Sequence, residues 1–531
     1  MKILINLSAI LVAISCNSQI NNTRIIDKNN ASAKIGDEGF FFNNSSLGIA
    51  GYEIPKGSGL STIFLGSFWV GAEDQNGVLY LSGEHYSSNP LNQLHSGPIA
   101  SSGQYTSLDY SNQYQESIWK VTKLEINTHI SNFANVGYSI PQSLLDWPGN
   151  GDVSLGVVGQ LAPYVDNNGD GIYTPSDGDY PDVRGDEAVY IIMNDQSGTN
   201  PNSLGIELHA MFYQFSSAGY FNNTTFLNVS VFNRSNRNYH NFKQTLFMDF
   251  DIGNYSDDYI GCNIANSVAF GYNGDENDEA DGGGPGYGLN PPCQGIVSLS
   301  HDMYSFCYFT ETSQLQYDIY NGTNGVLWNF MNAKWGDGSP WLYGGLGYQG
   351  SSGVSNSPTN FMYSGNPNDL SAWHESNVNS PPGDRRGIFT ISEDGLSAGS
   401  SICSDYAFIY DKSSNRLANV QNVINIAGSL RSLYESQFVF PCEVESFNAI
   451  IEEELFTFKL FPNPSTGTFS IHLENLPING KVTIFDLTGR EVFSHGIAEK
   501  TTEISLPEAS GVYVVVFQSS QGSSVQKMIF E

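Results

Sequence analysis

LGIELHAMFYQF at 204–215, TTFLNVSVFNRS at 224–235 and KQTLFMDFDIG at 243–253 follow one another, separated by clusters of Asn, Gly and Ser. Each run has the length and the β-branched and aromatic content of a strand, and the breaks are turn formers, so the succession predicts an antiparallel sandwich. Outward from this centre, AVYIIM at 188–193 reads as a further buried strand. In STIFLGSFWVGAEDQNGVLYLSGEHY at 61–86, Asn76-Gly77 lies between two strand-like runs and predicts a hairpin. SIWKVTKLEINTHI at 117–130 reads as strand as well, with Ile118, Val121 and Leu124 interleaved with polar residues. Tyr272 to Pro292 is rich in Gly and Asp, lacks periodicity and is expected to be a long loop. Helical spacing stands out once: Leu417, Val420, Val423, Ile424, Ala427, Leu430 and Tyr434 predict a helix over 414–437 with its apolar stripe on a sheet. The expected fold class is mostly β. It comprises a large antiparallel β-sandwich ectodomain with one amphipathic helix near its end, then a small C-terminal β-sandwich.

Composition supports a folded chain: 40% of residues are hydrophobic and only 14% charged, enough apolar surface to offset the entropy of ordering. Acidic residues outnumber basic ones 54 to 22, for a net charge of −32. Such a polyanion repels nucleic-acid phosphates and anionic headgroups, which leaves cations as its natural partners. At the N-terminus, Lys2 precedes an apolar run from Ile3 to Ile14 and small residues around Cys16, which predicts a signal peptide over 1–18. Acylation of Cys16 is the alternative, although Ala13 stands where such a signal normally carries Leu. The mature chain has no run of the ~18–20 apolar residues needed to cross a bilayer. Without Cys16, Cys262, Cys293, Cys307, Cys403 and Cys442 remain, an odd set that suggests up to two disulfides and one leftover thiol.

The sharpest local pattern is DNNGDGIYTPSD at 166–177. Asp166, Asn168 and Asp170 take positions one, three and five of a calcium loop, Gly171 the sharp turn at six, Ile172 a carbonyl at seven and Asp177 position twelve. Clear helices do not flank it, and Asp replaces the usual closing Glu, so the expected site is a helix-free loop over 166–179 holding structural calcium. Asp179 and Asp186 are further candidate ligands. The alternative is a turn that needs no ion. Asp249, Asp251, Asp257 and Asp258 form a second acidic group: Asp249 and Asp251 share a strand face, and the other two follow a Gly-Asn turn. It reads as a solvated face, a metal site or an acid/base pair. Glu207 and His209 share a face without a visible third member and read as packing. Trp328, Trp335, Trp341 and Tyr343 lie in a Gly-rich segment and are either a sugar-stacking platform or core anchors.

The chain ends with FKLFPNPSTGTFSIHL, KVTIFDLTGREVFSH and GVYVVVFQSSQGSSVQKMIFE. Pro462, Asn463, Pro464, Gly467, Asp486, Gly489, Gly511, Tyr513 and Lys527 are its landmarks. In that order they resemble the type A C-terminal sorting domain of type IX secretion cargo, over 456–531. The resemblance implies recognition by the type IX outer-membrane translocon and sorting machinery. It also implies release to the medium or attachment to surface lipopolysaccharide. GYEIPKGSG, SFWVGAEDQNG, DNNGDGIYTPSDGDYP, DFDIGNYSDDYIG and PGDRRG likewise resemble a group of uncharacterised type IX cargo ectodomains, a likeness that brings no activity. The expected organisation is a signal peptide at 1–18, an ectodomain at 19–445 open to division into two subdomains, a linker at 446–455 and the tail. The expected function is a calcium-stabilised scaffold for adhesion or binding of extracellular glycans, outside the cell. The alternatives are a secreted hydrolase acting on polysaccharide or protein, and a spacer without ligand.

Overall fold

The computed structural model of the chain describes residues 22–44, 48–83, 94–197, 202–280, 284–310, 324–435, 458–473, 480–486, 491–506, 511–519 and 522–530. The expected signal peptide, Cys16, Cys442, the 446–455 linker and Gly489 lie outside them. Two nine-stranded antiparallel sheets build the ectodomain. The first runs Thr23–Ile26, Ser32–Gly36, Phe40–Phe41, Ser61–Asp74, Tyr239–Phe250, Arg385–Leu396 and Ser305–Phe309 in spatial order, with two short strands at its side. The second runs Ile118–Thr122, Glu187–Asn194, Ile206–Gln214, Thr224–Asn233, Ser401–Asp411, Cys293–Ser298, Val268–Asn273 and Asp258–Asn263.

Of the three segments that predict the sandwich, two pair directly, with Leu208 opposite Val231 and Phe212 opposite Leu227. The third, Tyr239–Phe250, crosses to the other sheet, where it lies between Ser61–Asp74 and Arg385–Leu396. The second sheet is covered on both faces. Leu208, Ala210 and Phe212 point into the core between the sheets, whereas Met211 and Tyr213 point into a second core. That double burial explains why its strands read as continuous apolar runs rather than as an alternation.

The outer cover of the second core includes the helix Arg416–Glu435, inside the expected 414–437 span. Val420, Val423, Ile424, Ala427, Leu430 and Tyr434 form its buried stripe. Each large aliphatic side chain there contributes roughly 1.5–3 kcal/mol by leaving water. Gly295 makes the close approach possible, because a Cβ there would sit 2.5 Å from Cγ1 of Val423. Tyr434 donates from its hydroxyl to Oδ2 of Asp405 at 2.9 Å. No helix among the described residues is long and apolar enough to cross a membrane.

Three expectations need correction. The stretch 117–130 is strand only as far as Thr122 and continues as the helix Lys123–Asn132. Thr122 caps that helix and Glu125 returns the bond to the Thr122 N–H, a capping box that outweighs the apparent alternation and leaves Leu124 exposed. The 272–292 stretch is not a plain loop: it begins in strand Val268–Asn273, and Asn277–Asp278 pairs with Gly288–Leu289. Among the cysteines, Cys262, Cys293 and Cys307 are buried free thiols and Cys403 is disulfide-bonded, so two bridges among the five do not form. The three thiols sit on separate strands inside the sheets. The Asn76-Gly77 turn is as expected, joining Ser61–Asp74 to Leu79–Gly83 with Gly77 at φ 74°.

The C-terminal segment has its own core of Phe458, Phe469, Ile471, Val482, Ile484, Val515 and Phe530, among others. A three-stranded sheet (Phe458–Phe461, Thr468–Leu473, Thr501–Ser505) and a four-stranded one (Gly480–Asp486, Glu491–Ile497, Gly511–Ser519, Gly522–Phe530) build it.

Candidate metal centres and the sorting tail

Tyr164–Val165 pairs with Tyr180–Pro181 and forms the neck of the 166–177 loop. Inside the loop, Asp166 accepts backbone N–H bonds from Gly169 and Gly171, each at 2.7 Å, and from Asp170 at 3.3 Å. These bonds, Gly171 foremost, hold the Asp166 carboxyl below its usual range. Gly169 and Gly171 have φ of 75° and 76°, a backbone that other residues adopt at a cost. The Asn168 amide donates to Asp170 at 3.0 Å and Asp177 at 3.5 Å, so positions three, five and twelve converge. Ile172 is exposed, and its N–H donates to Asp170. Asp179 is fully buried and accepts the N–H groups of Asn167 and Thr174, closing the loop from within. Asp186 binds the N–H of Ser216 instead. Asn150 holds both backbone groups of Tyr173 at 2.8 Å, which pins the loop to the body.

In the second acidic group Asp249 and Asp258 are buried, whereas Asp251 and Asp257 are half-buried. Asp249 lies opposite Arg386 in the pairing of Tyr239–Phe250 with Arg385–Leu396. Arg386 reaches Asp249 at 3.3 Å through Nε and Asp384 at 2.9 Å through Nη2. Its neighbour Arg385, on the alternate face, pairs with buried Glu375 at 2.8 Å. One oxygen each of Asp249, Asp251 and Asp384 lie within 4.8 Å of one another. Asp249 is buried, with Asp251 and Asp384 half-buried. Burial first, then the charges of Asp249 and Asp384, push the Asp251 carboxyl well up against the opposing pull of Arg386. Asp258 is fully buried and its Oδ2 accepts the N–H of Ile252 at 2.9 Å. Burial again comes first in raising its carboxyl, followed by Asp251, Asp257 and Asp278. Asp278 is pushed up to about 7, chiefly by burial. The solvated face expected for Asp249 and Asp258 is therefore corrected to an interior position. Asp384 escaped the sequence reading: it is 133 positions beyond Asp251, by subtraction of their numbers, and only sheet pairing brings it in.

Glu207 and His209 do have a third member. Tyr190 OH lies 2.6 Å from Nδ1 of His209, whose Nε2 lies 3.0 Å from Glu207. Arg234 meets Glu207 at 2.8 Å, and the N–H of Ile99 donates to its other oxygen. Burial would raise the Glu207 carboxyl, but His209 and Arg234 outweigh it and hold it down at about 2. The platform reading of the tryptophans fails for two of them. Trp335 and Trp341 are buried with rings 6.2 Å apart, whereas Trp328 is half-buried and Tyr343 exposed. They anchor the core between the sheets and the loop beside it.

In the tail, the turn at 462–464 closes onto the last strand. Asn463 donates to the carbonyl of Lys527 at 2.6 Å and accepts the N–H of Ile529 at 3.0 Å, and the Ser465 N–H donates to the Ile529 carbonyl. Gly467 has φ 117°, Asp486 pairs with Tyr513, and Gly511 with Phe530. Pro462, Pro464 and Lys527 are thus brought to one end of the sandwich although some 60 residues separate them. Residues 459–531 match the family described as secretion system C-terminal sorting domain. The tail is a type A sorting domain of type IX secretion cargo. The sorting domain implies interaction with the type IX machinery and supports export to the cell surface or the medium. No curated protein matches the chain. Among solved structures, one titled a polysaccharide lyase aligns at 8% identity with a TM-score of 0.18, covering 64% of this chain. The chain spans 39% of that structure, and a likeness this distant carries no argument.

Proposed function

We propose that the ectodomain works outside the cell as a calcium-stabilised scaffold for adhesion or glycan binding, delivered by its sorting domain. The observation that supports it is the 166–177 loop. Asp166 is already seated on its backbone N–H groups, Asn168, Asp170 and Asp177 converge, and Ile172 stands at the carbonyl position. Rotation of the Asn168 amide exchanges NH2 for oxygen and completes a hard-oxygen set suited to calcium. Extracellular calcium is plentiful, so even a weak site is filled and stabilises by mass action. With Trp335 and Trp341 in the core, any glycan surface lies elsewhere, Tyr343 being the exposed ring of that segment. A secreted hydrolase is the second reading, favoured by the raised carboxyl of Asp251.

The test is to melt the mature protein with and without calcium, then screen it on a glycan array in both states. The proposal expects a higher melting temperature with calcium, and calcium-dependent retention on at least one glycan class. An unchanged melting temperature removes the calcium role. Polysaccharide or protein cleavage that is lost in Asp251→Asn would favour the hydrolase.

A further inference from the structure

Lys243 lies inside the first sheet, opposite Gly71 on one neighbouring strand and Ser392 on the other, and is 2% exposed. A lysine is seldom buried so fully. Trp328 stands over Gly71, where an added Cβ would meet its ring at 2.9 Å, and the ring of Tyr304 is centred 4.6 Å from Nζ of Lys243. Burial brings the amine down to about 8, against the charges of Glu73 and Asp394, so part of it is neutral and nucleophilic near neutral pH. A bulge supplies its partner. The register against Ser61–Asp74 slips between His240 and Lys243, and Asn241 has φ 52° there. The Asn241 carboxamide is thereby laid on the amine: Nζ donates to Oδ1 of Asn241 and, at 2.8 Å, to Oγ of Ser392. From the adjoining strand Glu73 meets the other end of the same carboxamide, accepting from Nδ2 at 3.5 Å.

We infer that Lys243 and Asn241 join in an intramolecular isopeptide bond, with Glu73 as the proton carrier. The three groups it needs are in contact: an amine, an acyl carbon and a carboxylate on the leaving nitrogen. Rotation of the carboxamide about χ2, a torsion with broad preferences, turns Cγ of Asn241 toward Nζ. The neutral amine attacks Cγ and passes one proton through Glu73 to Nδ2. The Cγ–Nδ2 bond then breaks and ammonia leaves. One C–N bond forms as another breaks, nothing is oxidised or reduced, and no co-reactant is consumed. Fixing both groups on one strand replaces an encounter in solution by a reaction within the chain. The bond goes beyond the scaffold reading, because it closes the bulge into a covalent ring without calcium.

The experiment is peptide mapping of the unfolded mature protein by mass spectrometry. After chymotrypsin, the parent peptide holding residues 241–243 is expected to be lighter than its sequence by one ammonia, and the matching peptides of Asn241→Ala and Glu73→Gln to have full mass. Trypsin needs a free lysine side chain, so it is expected to leave the bond after Lys243 uncut in the parent and to cut it in Asn241→Ala. A full-mass peptide and a normal cut after Lys243 in the parent overturn the inference and leave a hydrogen-bonded lysine. An undiminished loss of ammonia in Glu73→Gln overturns the role assigned to that carboxylate. Because the parent's own peptides decide, the test stands even where a variant fails to fold. Calcium removal is expected to alter neither peptide, which keeps the result separate from the fate of the 166–177 loop.

Discussion

The loop at 166–177 and the interior group around Asp251 both concentrate aspartates, yet they manage the charge in opposite ways. The loop takes its oxygens from one short stretch, keeps them near water and holds Asp166 low with backbone N–H groups. The second group draws on segments at 249–251, 258 and 384, and burial drives the carboxyls of Asp251 and Asp258 up. One arrangement is set by local spacing and the other by sheet topology. Energetic weight follows the second, because a charge removed from water costs more to leave unbalanced than one at the surface.

The contrast breaks first at Arg386. Arg386→Met strips the guanidinium from buried Asp249 and is expected to cost about 3–5 kcal/mol, as for other buried pairs that lose one partner. A urea midpoint that falls with unchanged slope would register it. A cost as small as that of a surface pair would erase the distinction between the two regions.

Glu207 sharpens the comparison, since it is equally buried but faces His209 and Arg234. Its folded-state carboxyl lies at about 2, below the ordinary 4.5. A depressed carboxylate contributes stability that is present above the unfolded value and lost as pH falls toward the folded one. Its contribution is on the order of 3 kcal/mol. The advantage of the parent over Glu207→Gln in chemical denaturation should thus hold at pH 6 and fade between about pH 4.5 and 2. A difference that stays constant across that range would show that burial, not charge balance, sets the behaviour of Glu207.

On the loop side, Gly171→Ala meets open space but keeps φ near 76°. The penalty is the backbone alone, roughly 1–2 kcal/mol, seen as a lower melting temperature and a weaker calcium response. Asn463→Ala in the tail is the smallest expected effect, about 1 kcal/mol for exposed hydrogen bonds. It should nevertheless lower the amount of protein in the culture medium, measured by immunoblot, because both bonds it removes join the 462–464 turn to the final strand.

What the sequence disclosed follows the same division. The sandwich strands, the 416–435 helix and the tail were legible because each depends on periodicity or turn residues within a short window. The helix after Thr122 was misread since Ile118, Val121 and Leu124 suit either period, and the deciding Thr122–Glu125 capping box is a small polar signal. Asp166 to Asp177 declared themselves by spacing, whereas Asp384 stands in PGDRRG with nothing local to link it to Asp249. Tyr190 escaped for the same reason, being placed on His209 only by the pairing of Ile192 with that residue. The burial of Trp335 and Trp341 was equally hidden, because a Gly-rich frame serves a surface loop and a folded-in anchor alike.

The clasp between Asn463 and the strand Gly522–Phe530 makes one mechanical unit of two parts of the tail that are remote in sequence. A change that displaces either the entry turn or that strand therefore strips the other of its hydrogen-bond partners.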